Sequence, residues 1–117
     1  MAKTTKAQFD LFCSEFMHWR ERFGCQDIWC DFEHAPMDDA YADIMINYAG
    51  KHAVVRFNSK QSHFKLDDDG VKRTAKHEAI HLLISRLEDC AWRRHVSQNE
   101  IDSEVEALAR RLEDLIV

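Results

Sequence analysis

The chain has 117 residues, of which 45% are hydrophobic and 32% charged, with three Gly, one Pro and a formal net charge of -5. That length holds one domain with its own core and leaves no room for a catalytic domain beside a separate recognition domain, and the composition is that of a soluble, helix-rich globular protein and not of a disordered or fibrous one. No apolar run approaches a membrane span, and the thin basic pairs Lys72-Arg73 and Arg93-Arg94 disfavour nucleic acid as the main partner.

Thr5-Lys6-Ala7-Gln8 reads as a capping box, and Phe9, Phe12, Phe16, Trp19 and Phe23 then recur at spacings of three and four up to Gly24. An amphipathic N-terminal helix with an aromatic core face is expected, with His18 off that face in solvent. Gln26 to Phe32 alternates, with Ile28, Cys30 and Phe32 on one side, and predicts a first strand. Glu33 to Asp39, with the only Pro, then reads as a loop. Residues 40–58 read as a β-hairpin. Ala42, Ile44, Ile46 and Tyr48 share one face of its first arm, Ala49-Gly50-Lys51 turns the chain, and Ala53, Val55 and Phe57 face inward from the second.

After a polar loop from Ser59 to Gly70, Asp68 or Asp69 can cap a helix running from about Val71 to about Leu87. Cys90 to Val96 connects to Ser97-Gln98-Asn99-Glu100, a second capping box that opens a last helix to about Leu115. The four cysteines, Cys13, Cys25, Cys30 and Cys90, include no C-x-x-C pair. With an N-terminus that lacks the apolar stretch of a signal peptide, they point to a cytoplasmic protein with reduced thiols. Cys13 and Cys30 are expected as core filler.

The chemistry concentrates in Thr74-Ala75-Lys76-His77-Glu78-Ala79-Ile80-His81-Leu82-Leu83-Ile84. On a helix His77 and His81, four residues apart, lie one above the other and can reach one metal ion, while Glu78 is turned by roughly 100° and can face a metal-bound water without ligating. Ile80, Leu83, Ile84 and Leu87 form an apolar face beside them. Two histidines and a glutamate beside so apolar a face are costly to bury without a partner, which favours a zinc ion.

This run resembles the active-site helix of the zincin metallopeptidases, with its His-Glu-x-x-His motif. The short chain looks like the compact SprT-like or phage-encoded members of that group. The likeness is specific over the motif and architectural elsewhere. It implies a single α+β domain of zincin-like architecture, with an N-terminal helix, a small three-stranded sheet, the motif helix, and a further helix carrying a third zinc ligand. The metzincin branch is excluded, because Ile84 and Leu87 stand where it requires Gly and His. The gluzincin-like branch takes a glutamate from the next helix, where Glu100, Glu104, Glu106 and Glu113 are on offer.

Helical phase selects among them. Ile101, Val105, Leu108, Leu112 and Leu115 mark the buried stripe of the last helix, and Glu104 borders it, whereas Glu106 and Glu113 point away and Glu100 lies further round. Glu104 is the expected third ligand; an ordinary pairing with Arg111 or Lys76 is its alternative, and Glu106 stays open. His95 is the rival, since SprT-like enzymes take a third histidine after the motif, while Glu88 shares the motif helix and suits an orienting or solvated role better than ligation.

The expected function is zinc-dependent hydrolysis of a peptide or protein substrate, with Zn2+ held by His77, His81 and Glu104, and Glu78 taking the proton of the zinc-bound water. By the same resemblance, an edge strand beside the motif helix, supplied by the hairpin, pairs with the extended substrate. No oxyanion-stabilising donor is identified among Tyr41, Tyr48, His52 and His63. The alternative is a zincin-fold binding or structural protein whose zinc is structural or absent. A weaker one is hydrolysis of a non-peptide bond by the same chemistry.

Overall fold

A computed structural model describes residues 3–60, 66–93, 96–113 and 115, with the side chain of Glu113 left aside. His63 and His95 lie outside the described residues, so the rival third-ligand assignment to His95 falls there too. The chain is α+β: helix α1 (Lys6–Arg22), strands β1 (Trp29–Ala35), β2 (Ala42–Asn47) and β3 (His52–Asn58), and helices α2 (Asp68–Trp92) and α3 (Gln98–Glu113).

The capping box opens α1 as expected: Thr5 Oγ1 accepts from Gln8 N at 3.0 Å, and the Gln8 side chain accepts from Thr5 N at 2.9 Å. The helix stops before Gly24, whose φ of +71° lies in the left-handed region that glycine enters without steric cost. Phe12 and Phe16 are fully buried on its inner face. Phe12 stacks on Phe57 with ring centroids 4.7 Å apart, and Phe16 meets Phe32 edge-on at 5.4 Å.

The hairpin forms as its alternation predicts, with β2 and β3 antiparallel and Ile44 opposite Val55. β1 adds to the other side of β3 in parallel, which gives the order β1-β3-β2. The first strand is displaced from the expected Gln26–Phe32 span and runs through His34 and Ala35. Register explains this, since Trp29 to Ala35 pairs with His52 to Asn58 along the full length of β3. His34 sits in a strand because its polarity is answered: its Nε2 lies 2.6 Å from Thr4 Oγ1, and its ring stacks on Phe9 at 4.8 Å.

Helices α1 and α2 cover one face of the sheet and enclose the core. Ala53, Val55 and Phe57 of β3 meet Val71, Ala75, Ala79 and Leu82 of α2, every one of them fully buried. The other face carries two charge pairs, an exposed one of His52 with Asp31 and a half-buried one of Arg56 with Asp43, around the exposed Trp29 and Met45.

The loop between β1 and β2 is held by one buried side chain. Asn58 Nδ2 donates to the carbonyls of Met37 (3.0 Å) and Ala40 (2.8 Å), and its Oδ1 accepts from the amides of Met37 and Lys60 (both 2.9 Å). Both halves of the amide are thus satisfied, and residues 37–40 are fixed where β2 begins.

Candidate active site

Helix α2 is capped by Asp67, whose carboxylate accepts from Gly70 N at 2.8 Å; Asp68 and Asp69, the residues expected to cap it, occupy its first turn. There their charge complements the positive end of the helix. The helix continues to Trp92, beyond the expected end near Leu87, so the motif lies mid-helix, where the backbone is fully hydrogen-bonded and rigid.

His77 and His81 are both exposed on one side of α2, with ring centroids 5.0 Å apart and planes at 77°. Glu78 turns inward and is only 6% exposed. Burial lifts its carboxyl above the ordinary glutamate range. The His81 and His77 charges pull the other way, and the Asp43 charge adds to the rise. Among the described residues no side chain or amide is hydrogen-bonded to its carboxylate.

Glu78 and His77 open into a cleft of about 540 Å³ between the first half of α2 and the chain entering β2. Tyr41, Ala42 and Leu66 make its greasy side, and Arg73 stands on α2 four residues before His77. His81 lies outside the cleft lining.

The expected third ligand is elsewhere. Glu104 faces Arg86, with Oε2 at 3.3 Å from Nε and Oε1 at 3.5 Å from Nη2. Arg86 follows His77 by nine positions and His81 by five, which turns it by about 180° and 140° from them around α2. Glu104 therefore packs against the side of α2 away from the histidines, and its partner is neither Arg111 nor Lys76. The physical reason is charge compensation: the Arg86 Nε is the single buried side-chain polar atom among the described residues without a hydrogen bond, and a carboxylate beside it offsets the cost.

The other candidates are also engaged or remote. Glu106 pairs with Arg110 and Glu100 with Arg93, each at 3.3 Å, and Glu88 is exposed two turns beyond His81. Among the described residues no three His, Cys, Asp or Glu side chains gather as a metal site. The donor chemistry thus fits zinc in part: two imidazoles at helical spacing are in place, and no third protein donor lies beside them among the described residues.

Two of the thiols are poor competing nucleophiles. Burial pushes Cys13 and Cys30 up to about 11, where the reactive thiolate is scarce at neutral pH. Sequence reasoning missed Arg73 and Asn58. The first carried a legible signal, since it shares the stripe of His77 at a spacing of four; the second carried none, because its partners are distant in the chain.

No family model, no curated protein and no solved structure matches this chain, so the likeness to zincins rests on the motif residues themselves.

Proposed function

We propose that the chain is a zinc-dependent metallopeptidase, a hydrolase in which His77 and His81 hold the ion and Glu78 is the general base. The observation that supports this reading is the placement of one buried carboxylate, without a hydrogen-bond partner among the described residues, beside two exposed imidazoles of which His77 lines the same cleft. Bound there, zinc supplies Lewis acidity toward a carbonyl oxygen and acidifies water. Glu78 accepts the proton of the attacking water on its carboxylate and returns it to the nitrogen of the departing amine. Burial raises its affinity for protons, which favours its taking and holding the proton between the two halves of that relay. Among the described residues β2 pairs with a strand on one side alone, and strand addition along its other edge aligns an extended peptide with α2. The substrate is a peptide or protein, the setting cytoplasmic, and no helix among the described residues is long and apolar enough to cross a membrane.

Zinc titration followed by elemental analysis tests the reading. Wild-type protein takes up close to one zinc per chain, and His77→Ala and His81→Ala do not; Glu78→Gln keeps the metal and loses turnover. With Glu104 tied to Arg86, Glu104→Ala keeps its zinc and loses about 1 kcal/mol of stability, because a partly buried guanidinium is left without its counter-charge. If Glu104→Ala instead loses zinc, the ion recruits that carboxylate and the arrangement around Arg86 changes on binding. Failure of the wild type to take up zinc after deliberate loading ends the enzyme reading.

A second reading, a binding or structural protein, is favoured by one observation: Ile80 and Ile84, each 37% exposed, flank the histidines on the same open face, as they would if a partner covered it. Undiminished function of Glu78→Gln in that role separates it from the first.

A further inference from the structure

The cleft contains a cation that the proposed hydrolysis does not use. Arg73 lines it one helical turn before His77, is exposed, and forms no ion pair or side-chain hydrogen bond among the described residues. Five other arginines are engaged: Arg20 donates to the carbonyls of Ile28 and Gln26, Arg56 holds Asp43, Arg86 holds Glu104, Arg93 holds Asp89 and Glu100, and Arg110 holds Glu106; Arg22 and Arg111 share the lack of a partner among the described residues but do not line the cleft. Asp69, four residues earlier on the same side of α2, is close enough in sequence to pair with Arg73, yet no such contact forms.

The rest of the wall is apolar or uncharged at this point. Tyr41, Ala42 and Leu66 line the cleft together with Arg73, and among the described lining residues the one other charged group, Glu78, lies five positions further along α2, next to His77. A guanidinium with five donors, held where apolar walls exclude part of the water, binds a carboxylate in a bidentate fork more strongly than it would in open solvent. The rise of about 1.5 Å per helical residue puts Arg73 roughly 6 Å along α2 from His77, the length of one to two residues of an extended peptide.

We infer that Arg73 selects a carboxylate on the ligand within two residues of the point that lies beside His77, so that the cleft takes acidic peptides. This rests on the proposed peptidase reading for its biological meaning, but not for its test. The carboxylate has two sources, an Asp or Glu side chain within a peptide or the free C-terminus of one. Which of the two applies decides whether the cleft reads internal sites or chain ends.

The experiment measures binding first. Glu78→Gln, with and without added zinc, is panned against a randomised hexapeptide library with free C-termini and against the same library with amidated C-termini, and cleavage of both by the zinc-loaded wild type is then followed by mass spectrometry. Enrichment of Asp or Glu at one position in both libraries identifies a side-chain carboxylate, and binding confined to the free-ended library identifies the C-terminus. In either case adding Arg73→Ala weakens the selected peptides by about tenfold or more, Arg73→Lys by less, and Arg73→Glu favours Lys or Arg at that position. Because Arg73 is exposed, these variants keep the wild-type melting curve, which controls for folding.

Peptides selected without an acidic preference, no selectable peptide at all, or selected peptides bound equally by Arg73→Ala, overturn the inference. Acidic binding that depends on Arg73 without any cleavage by the wild type leaves the inference standing and removes the peptidase reading. Cleavage with a preference unaltered in Arg73→Ala does the reverse.

Discussion

The two walls of the cleft are built by different means. One is α2, whose position follows from its own periodicity: Val71, Ala75, Ala79 and Leu82 are fully buried against the sheet, and that leaves His77 and His81 in solvent and Glu78 at the boundary. The other is the stretch entering β2, Ala40 to Ala42, which has no regular structure of its own before Ala42 and is held by the side chain of Asn58, sixteen or more residues away. A helical wall keeps its shape as long as the helix is packed. A loop wall keeps it only while a particular set of hydrogen bonds survives, so the same cleft has one side robust to substitution on its surface and one side that depends on a single residue.

The largest effect is expected from the packing under the helical wall. Leu82→Ala removes a fully buried side chain and should cost about 2–5 kcal/mol, the spread reflecting how far the site collapses. Chemical denaturation measures it, with His81→Ala, one residue away but exposed, shifting the unfolding midpoint by no more than about 0.5 kcal/mol in the absence of metal. Similar losses in both variants would mean that the two faces of α2 are not distinct in energy.

Asn58→Ala should come next, at about 2–3 kcal/mol, because it strands the buried groups that the amide satisfies. Its diagnostic is selective: amide hydrogen exchange should rise across residues 37–41 while α2 stays protected, and zinc uptake by the two histidines should survive. Uniform loss of protection across both walls would show that the loop is not an independent unit.

Glu78→Gln should give the smallest change and the opposite sign. The folded-state proton affinity of Glu78 is raised by burial, so the folded chain holds that proton more tightly than the unfolded chain, and the wild type loses stability as pH rises from the ordinary glutamate range through the raised value. Glutamine has no charge to bury. The metal-free variant should therefore melt above the wild type at pH 7, with the gap closing below about pH 4, where the glutamate is protonated in both states. Coincident melting temperatures across that range would show that burial does not disfavour the ionised carboxylate.

Much of the architecture was legible in the residues. The capping box at Thr5, the Ser97 hydroxyl accepting from Glu100 N at the start of α3, the hairpin and its turn, and the edge-on pairing of His77 with His81 are all local: each depends on side chains within a few positions of one another, and the helical or strand period places them whatever the rest of the chain does. Helical phase put Glu104 at the edge of an expected buried stripe of α3; Glu104 is half-buried, but Val105 and Leu112 of that stripe are exposed, so the stripe is covered only in part. Phase along one helix says nothing of which side of its neighbour it meets.

That choice belongs to tertiary structure. Glu104 meets Arg86 because the way α3 packs against α2 brings a partly buried cation to it, and no periodicity in either helix encodes that encounter. β1 likewise extends past Phe32 because a parallel partner of equal length lies beside it and because Thr4, thirty residues earlier, answers the polarity of His34. The sequence by itself determined the elements, their faces and the paired histidines with their glutamate. Only the fold decided which charges meet and what the second wall of the cleft is, since ion pairs and buried amides depend on segments far apart in the chain coming together, and their free energies depend on the burial that the packing creates.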